Sequence, residues 1–259
     1  MAYDPSTDAN CQAWYRFENG ALTTDSSGKG NTLTDAGLVQ ETTLVKEGAG
    51  SVYCNDASSY GTRTNANLSA NYPLRSTDTA KLSTVCGWFY QTIYSDSGVG
   101  QIIYAKGGAT SGGRSYWIRC QWGGGTTNYF VLSTGYNNGN SGTTTVLPGH
   151  NVALNTWYHF GVAVNGITGA YYLQLYNDSS KITYSTSDTL ANVPIFVNAA
   201  AMYIGRDSGS YYTNFRGYQD DLIVYNTIKT ANEIDTIRDR NIAGGSMPLL
   251  HYYNRQARI

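Results

Sequence analysis

The sequence reads as an all-β chain, a β-sandwich or jelly roll with one short helix near its end. Short alternating runs rich in β-branched and aromatic residues recur along most of its 259 residues. Clusters of Gly, Asn, Ser and Asp separate them, as in sandwiches and jelly rolls. Only one segment has helical spacing. The strand-like runs are 11–18 (CQAWYRFE), 83–93 (STVCGWFYQTI), 101–106 (QIIYAK), 115–122 (SYWIRCQW), 128–133 (NYFVLS), 157–164 (WYHFGVAV), 170–176 (AYYLQLY), 201–205 (AMYIG) and 221–225 (DLIVY). WYHFGVAV and AYYLQLY flank NGITG and read as a hairpin. The helix starts at Thr230, an N-cap with Glu233 three residues on, which makes a capping box. Ile234 and Ile237 then share a face, and Asn241 with Gly244-Gly245 ends the helix.

Composition narrows the function. Charged residues make up only 14%, while Gly (29) and Tyr (23) abound. Disordered chains combine high charge with few aromatics, so this chain is expected to be ordered. Net charge is -1 with no basic run, apart from Arg255 and Arg258 near the end, so nucleic acid is not an expected partner. The opening MAYDPSTDANCQAWY lacks the basic and apolar regions of a secretory signal. No apolar run reaches the length of a membrane span. Cys11, Cys54, Cys86 and Cys120 are far apart, with no CxxC, so buried free thiols are expected rather than a zinc cage. One domain over 1–245 and a tail over 246–259 are expected. The tail, SMPLLHYYNRQARI, is apolar and then basic. It reads as a frayed end, a strand packed on the same domain, or a docking arm for a neighbouring subunit.

Three motifs suggest chemistry and fail on context. GATSGGRS (108–115) nearly matches a phosphate loop, but it leads into the strand-like YWIRCQW instead of opening a helix. Glu233 and Asp235 resemble the paired acids of jelly-roll glycanases, which need two carboxylates on one strand face. Arg238 replaces the third acid, and helical spacing would splay the pair. His150, His159 and His251 have no partner at ligand spacing, and no GxSxG occurs.

Five landmarks fall in order: AWYRFENGALTTDSSGKGN (13–31), GSVYCNDASSYG (50–61), LSTVCGWFY (82–90), NTWYHFGVAVNG (155–166) and MYIGRDSG…FRGYQDDLIVYNTIKTANEI (202–234). Together they resemble the laminin-G-like, concanavalin A-like lectin/glucanase jelly roll, over roughly residues 12–240. That family opens with D-S-S-G-x-G-N and closes with a D-D-V-x-I-Y-N strand and its helix. The resemblance implies two antiparallel sheets face to face, a carbohydrate- or protein-binding role, and often a structural calcium ion. Gln219, Ile223 and Ile228-Lys229 depart from the pattern. Alternation puts Leu222 and Val224 on one face and Ile223 and Tyr225 on the other, which then needs a cover.

Calcium takes six to eight oxygens. The resemblance brings the DSSGKGN loop near the last strand, so Asp25, Asn31 and Asp220 are the expected calcium ligands. The alternative is that these residues bind loop amides without metal. Tyr211, Tyr212 and Tyr218 cluster before the last strand and are the expected ligand patch. The expected function is a non-enzymatic, surface-exposed lectin-like module. It is expected to be a virion decoration or fibre protein of a bacteriophage, which needs no export signal, and to bind glycans or neighbouring subunits as a homo-oligomer or part of an assembly. A stand-alone lectin and a glycan hydrolase on the same fold are the alternatives.

Overall fold

The computed structural model describes residues 3–55, 59–94, 100–108, 113–139, 141–208 and 213–240. These form sixteen strands and one α-helix. In chain order they are β1 (Cys11–Tyr15), β2 (Thr34–Ala36), β3 (Val39–Glu41), β4 (Ser51–Cys54), β5 (Tyr60–Arg63), β6 (Leu82–Gln91), β7 (Gly100–Lys106), β8 (Tyr116–Gly124), β9 (Thr127–Tyr136), β10 (Ser141–Val146), β11 (Trp157–Asn165), β12 (Ala170–Asn177), β13 (Ile182–Thr189), β14 (Met202–Ile204), β15 (Thr213–Asn214), β16 (Gly217–Tyr225) and α1 (Ala231–Arg238).

Two antiparallel sheets stack face to face. Sheet A runs β13-β12-β11-β6-β16-β4-β3, with β1 also on β16. Sheet B runs β10-β9-β8-β7-β14-β5-β2, with β15 parallel on β7. Their facing residues make the main core, among them Val85, Phe89, Phe130, Phe160, Val162, Leu222 and Val224. Phe89 is its aromatic hub, with the rings of Phe130, Tyr158, Phe160 and Phe215 centred 5.6–6.3 Å away. Burying one such side chain stabilises the fold by about 1.5–3 kcal/mol.

A second apolar cluster lies on the outer face of sheet A. Cys11, Trp14, Cys86, Ile223 and Tyr225 meet Ile234 and Ile237 of α1 there. The helix is therefore the cover that Ile223 and Tyr225 require. Its capping box forms as read: Thr230 accepts from the Glu233 amide, and Glu233 accepts from the Thr230 amide at 2.8 Å. Gly161 of β11 makes room for it, since a Cβ there would lie 2.6 Å from Ile234 Cγ2. All four cysteines are buried and free.

The last strand begins at Gly217, four residues before the sequence reading placed it. Asp220 lies within the strand, and Asp221 sits at a register shift with φ +54°. A bulge hides the alternation on which a strand assignment depends. The first strand stops at Tyr15, short of the expected Glu18, and Phe17 has φ +51°. Residues 109–112 of the GATSGGRS motif, the helix-ending Asn241 and Gly244-Gly245, His251 and the whole tail 246–259 lie outside the described residues.

Candidate functional site

Antiparallel partners stand on the same face of a sheet, so the register of sheet A lays out its outer face in rows. The first row is Val39, Tyr53, Tyr218, Tyr90 and Trp157, in direct register across β3, β4, β16, β6 and β11. The second is Asp220, Trp88, His159 and Tyr176. Then come Ile223, Cys86, Gly161 and Gln174, and last Tyr225, Thr84, Ala163 and Tyr172. Helix α1 packs over the third and fourth rows through Ile234 and Ile237.

The first row is the more open one at its tyrosines, while Trp157 at its end is 9% exposed. The Tyr53 and Tyr218 rings lie 4.7 Å apart at 30°, nearly coplanar in stacking. Tyr90 turns edge-on to Tyr218 at 5.7 Å and 76°, and Trp157 follows at 5.5 Å and 58°. The three tyrosines are half-buried. Their hydroxyls make no hydrogen bond to another described residue. Burial, with Glu41 nearby, raises the Tyr218 phenol, so it stays protonated and can donate. The row combines aromatic faces with unspent donors and acceptors.

The second row is enclosed. Asp220, His159 and Trp88 are 0%, 1% and 3% exposed. Lys46 Nζ lies 4.3 Å over the Trp88 ring and pairs with Asp178 at 2.9 Å. Arg238 lies 4.2 Å over Tyr176. Asp220 Oδ2 accepts from the amides of Lys46 at 2.9 Å and Glu47 at 2.8 Å. Burial pushes the Asp220 carboxyl well up, against the pull of those two donors. Burial likewise pushes Glu47 up to about 7. Burial holds His159 well below the usual imidazole range, and the charges of Arg240, Arg238 and Lys46 add to the effect, so its ring is neutral.

Asp221 has a different task. The Trp14 indole donates to one of its oxygens, and Arg240 pairs with the other. Arg240 also donates to the Ile237 carbonyl at the end of α1. Burial lowers its guanidinium to about 10. The pair ties the end of the helix to the bulge in β16. Removing one partner of such a buried pair leaves an uncompensated charge.

Asp25 and Asn31 come together in one loop. Asp25 Oδ1 accepts from the amides of Trp14 at 3.0 Å and Ser27 at 2.9 Å, and Oδ2 from that of Asn31 at 2.7 Å. Asn31 Oδ1 accepts from the Ser69 amide at 2.8 Å. Asp220 has its own partners, Lys46 and Glu47. Every oxygen named here except Asp220 Oδ1 already faces an N–H donor, so the calcium expectation rests on the loop sequence alone. Among the described residues, no three His, Cys, Asp or Glu side chains converge as metal ligands.

Of the expected ligand patch, Tyr218 stands in the open row, while Tyr211 and Tyr212 lie outside the described residues. Tyr53, Tyr90 and Trp157 escaped the sequence reading. One signal was available. In CGWFYQ and NTWYHF, alternation puts Trp88 with Tyr90, and Trp157 with His159, on the face opposite Phe89 and Tyr158.

This two-sheet sandwich, with an aromatic outer face and one docked helix, has the form of a lectin/glucanase-type jelly roll. The family model for the concanavalin A-like lectin/glucanase superfamily matches residues 56–235, and the chain belongs to that family. No curated protein matches it in sequence. Among solved structures it is similar to domain 4 of an extracellular arabinanase from Geobacillus stearothermophilus, solved with arabinotriose. Identity is 16% and the TM-score 0.59, covering 89% of this chain and 98% of that domain. It is also similar to the enzymatically active domain of tailspike protein 2 of bacteriophage CBA120. Identity there is 14% and the TM-score 0.56, covering 79% of this chain and 30% of that one. A third is botulinum neurotoxin type C, whose cell entry depends on two ganglioside molecules. Identity is 10% and the TM-score 0.56, covering 89% of this chain and 51% of that one. At these identities the likeness is one of fold. No helix among the described residues is long and apolar enough to cross a membrane.

Proposed function

We propose that the chain is a non-enzymatic glycan-binding module on the surface of a bacteriophage particle, a decoration or fibre protein. Its sugar site is the Tyr53–Tyr218–Tyr90–Trp157 row. One observation carries this reading: four aromatic rings in direct register across four strands, the three tyrosines half-exposed and Trp157 9% exposed at their end. Tyr and Trp offer an apolar face and a polar tip, which suits a sugar ring with its C–H face and hydroxyl rim. Neighbouring strands are about 4.8 Å apart, so the four positions span about 14 Å. That length favours an extended oligosaccharide lying across the strands.

The arabinotriose and gangliosides named for two similar structures support sugar as the ligand class. The tailspike likeness and the low charge and high Gly and Tyr content support a virion setting. The acids beside the row are engaged within the chain, Glu41 by the amides of Thr42, Thr43 and Leu44 and Asp220 by those of Lys46 and Glu47, which supports binding without hydrolysis. The test is a glycan array with the purified chain, followed by a reducing-end assay on each glycan bound. Binding of an extended oligosaccharide without new reducing ends is expected. Release of reducing ends would make the chain a hydrolase, and an array without any bound glycan would make it a building block.

A further inference from the structure

Four polar atoms of the second row have no hydrogen-bond partner among the described residues: Trp88 Nε1, His159 Nδ1 and Nε2, and Asp220 Oδ1. They are not scattered. Asp220, Trp88 and His159 stand in direct register on β16, β6 and β11, and the Trp88 and His159 rings are 5.0 Å apart. A buried polar group without a partner weakens a fold, so native proteins hold few of them. Three neighbouring side chains that each carry one mark a place where hydrogen bonds are kept for a ligand.

Residues 42–50 close over Asp220 and Trp88 and belong to no strand or helix. None of residues 42–49 is buried, and none joins an apolar cluster. Polar tethers hold the segment. The Lys46 and Glu47 amides donate to Asp220, Lys46 Nζ pairs with Asp178, and the Ala49 amide donates to Glu18 at 2.8 Å. A segment with so few buried apolar contacts opens at low cost. The place it covers adjoins the first row. Trp88 is two residues from Tyr90 on β6, and His159 is two from Trp157 on β11. The two rows are therefore about 7 Å apart along the strands. A glycan lying across the strands on the first row has the second row at its side.

We propose that the site takes a branched oligosaccharide, its main chain on the tyrosines and one branch residue beneath the 42–50 segment, against Trp88 and His159. The inference rests on the glycan reading of the first row and adds the shape of the glycan. The polar atoms suit a neutral sugar. Indole N–H only donates, whereas a neutral imidazole donates at one nitrogen and accepts at the other. Sugar hydroxyls do both and can answer each, while a simple ion answers only one kind. Trp88 adds an aromatic face beside these groups.

The test is calorimetry with a branched glycan and its linear main chain, both chosen from the array, on the wild type, Trp88→Phe and His159→Phe. The nitrogens removed have no partner among the described residues, so both variants are expected to melt close to the wild type. The wild type is expected to prefer the branched glycan by about tenfold. Both variants are expected to lose that preference and keep their affinity for the linear glycan. In the wild type without sugar, the Lys46 and Glu47 amides are expected to exchange faster than those of β6, a readout that needs no variant. Equal affinity for the two glycans, a preference that both variants keep, or Lys46 and Glu47 amides as protected as β6 would overturn the proposal and leave the unpaired atoms to water alone. Loss of both glycans in Tyr90→Ala together with equal wild-type affinities would strike the branch and leave the row. Unchanged affinity in Tyr90→Ala would strike the row itself, and an array without any bound glycan would strike both.

Discussion

The outer face of sheet A has two halves built from the same strands. Under α1 the outward positions of β6 and β11 are Cys86, Gly161, Thr84 and Ala163; beyond the helix they are Tyr90, Trp88, Trp157 and His159. Alternation is the same in both, and the inward residues of both feed one core. What differs is the size of the outward side chains. Small residues let a helix dock within contact distance, whereas large aromatic ones fill the space it would need. The lesson is that period shows which residues leave the core, whereas what packs over them shows which are enclosed, as Trp88 is under Lys46, and which stay half-exposed, as Tyr90 does.

This contrast can be broken from the covered side. Ile234→Ala removes the apolar contact that holds α1 on the sheet, where Ile234 is 0% exposed. The expected loss is about 2–4 kcal/mol of unfolding free energy in a urea titration. Gly161→Val puts side-chain atoms where Ile234 now sits, and the expected loss is about 1–3 kcal/mol. Both variants should keep the open row's sugar binding if the halves are independent. Thr230→Ala removes one half of the capping box. It should cost about 1 kcal/mol, read in the same titration. The smallest effect concerns the Asp25 loop, whose carboxylate already holds three backbone amides. A chelator is expected to leave the melting temperature unchanged. A clear downward shift would instead assign calcium to Asp25, Asn31 and Asp220 by linkage.

The elements that define the fold were legible because they rest on local rules. The capping box at Thr230 and Glu233, the alternation of Leu222 and Val224 against Ile223 and Tyr225, and the β11–β12 hairpin all follow from short spacings. The start of β16 was not legible, because Asp221 breaks the period with a left-handed bulge that ordinarily favours Gly, Asn or Asp. The candidate site was legible only at Tyr218. Tyr53, Tyr90 and Trp157 come from strands far apart in sequence, and their alignment is a matter of register between β4, β16, β6 and β11. No spacing within the chain encodes that register by itself. The two aspartates of QDD looked alike in sequence, yet Asp220 binds a loop and Asp221 a helix end.

The central claim is that the open aromatic row is a sugar-binding surface, and Tyr90 stands at its middle, in contact with both Tyr218 and Trp157. Affinity for the best glycan from the array should be measured by calorimetry for the wild type and for Tyr90→Ala. The account expects the variant to lose at least tenfold, about 1.4 kcal/mol, while unfolding as cooperatively as the wild type. Unchanged affinity in a folded Tyr90→Ala would contradict it.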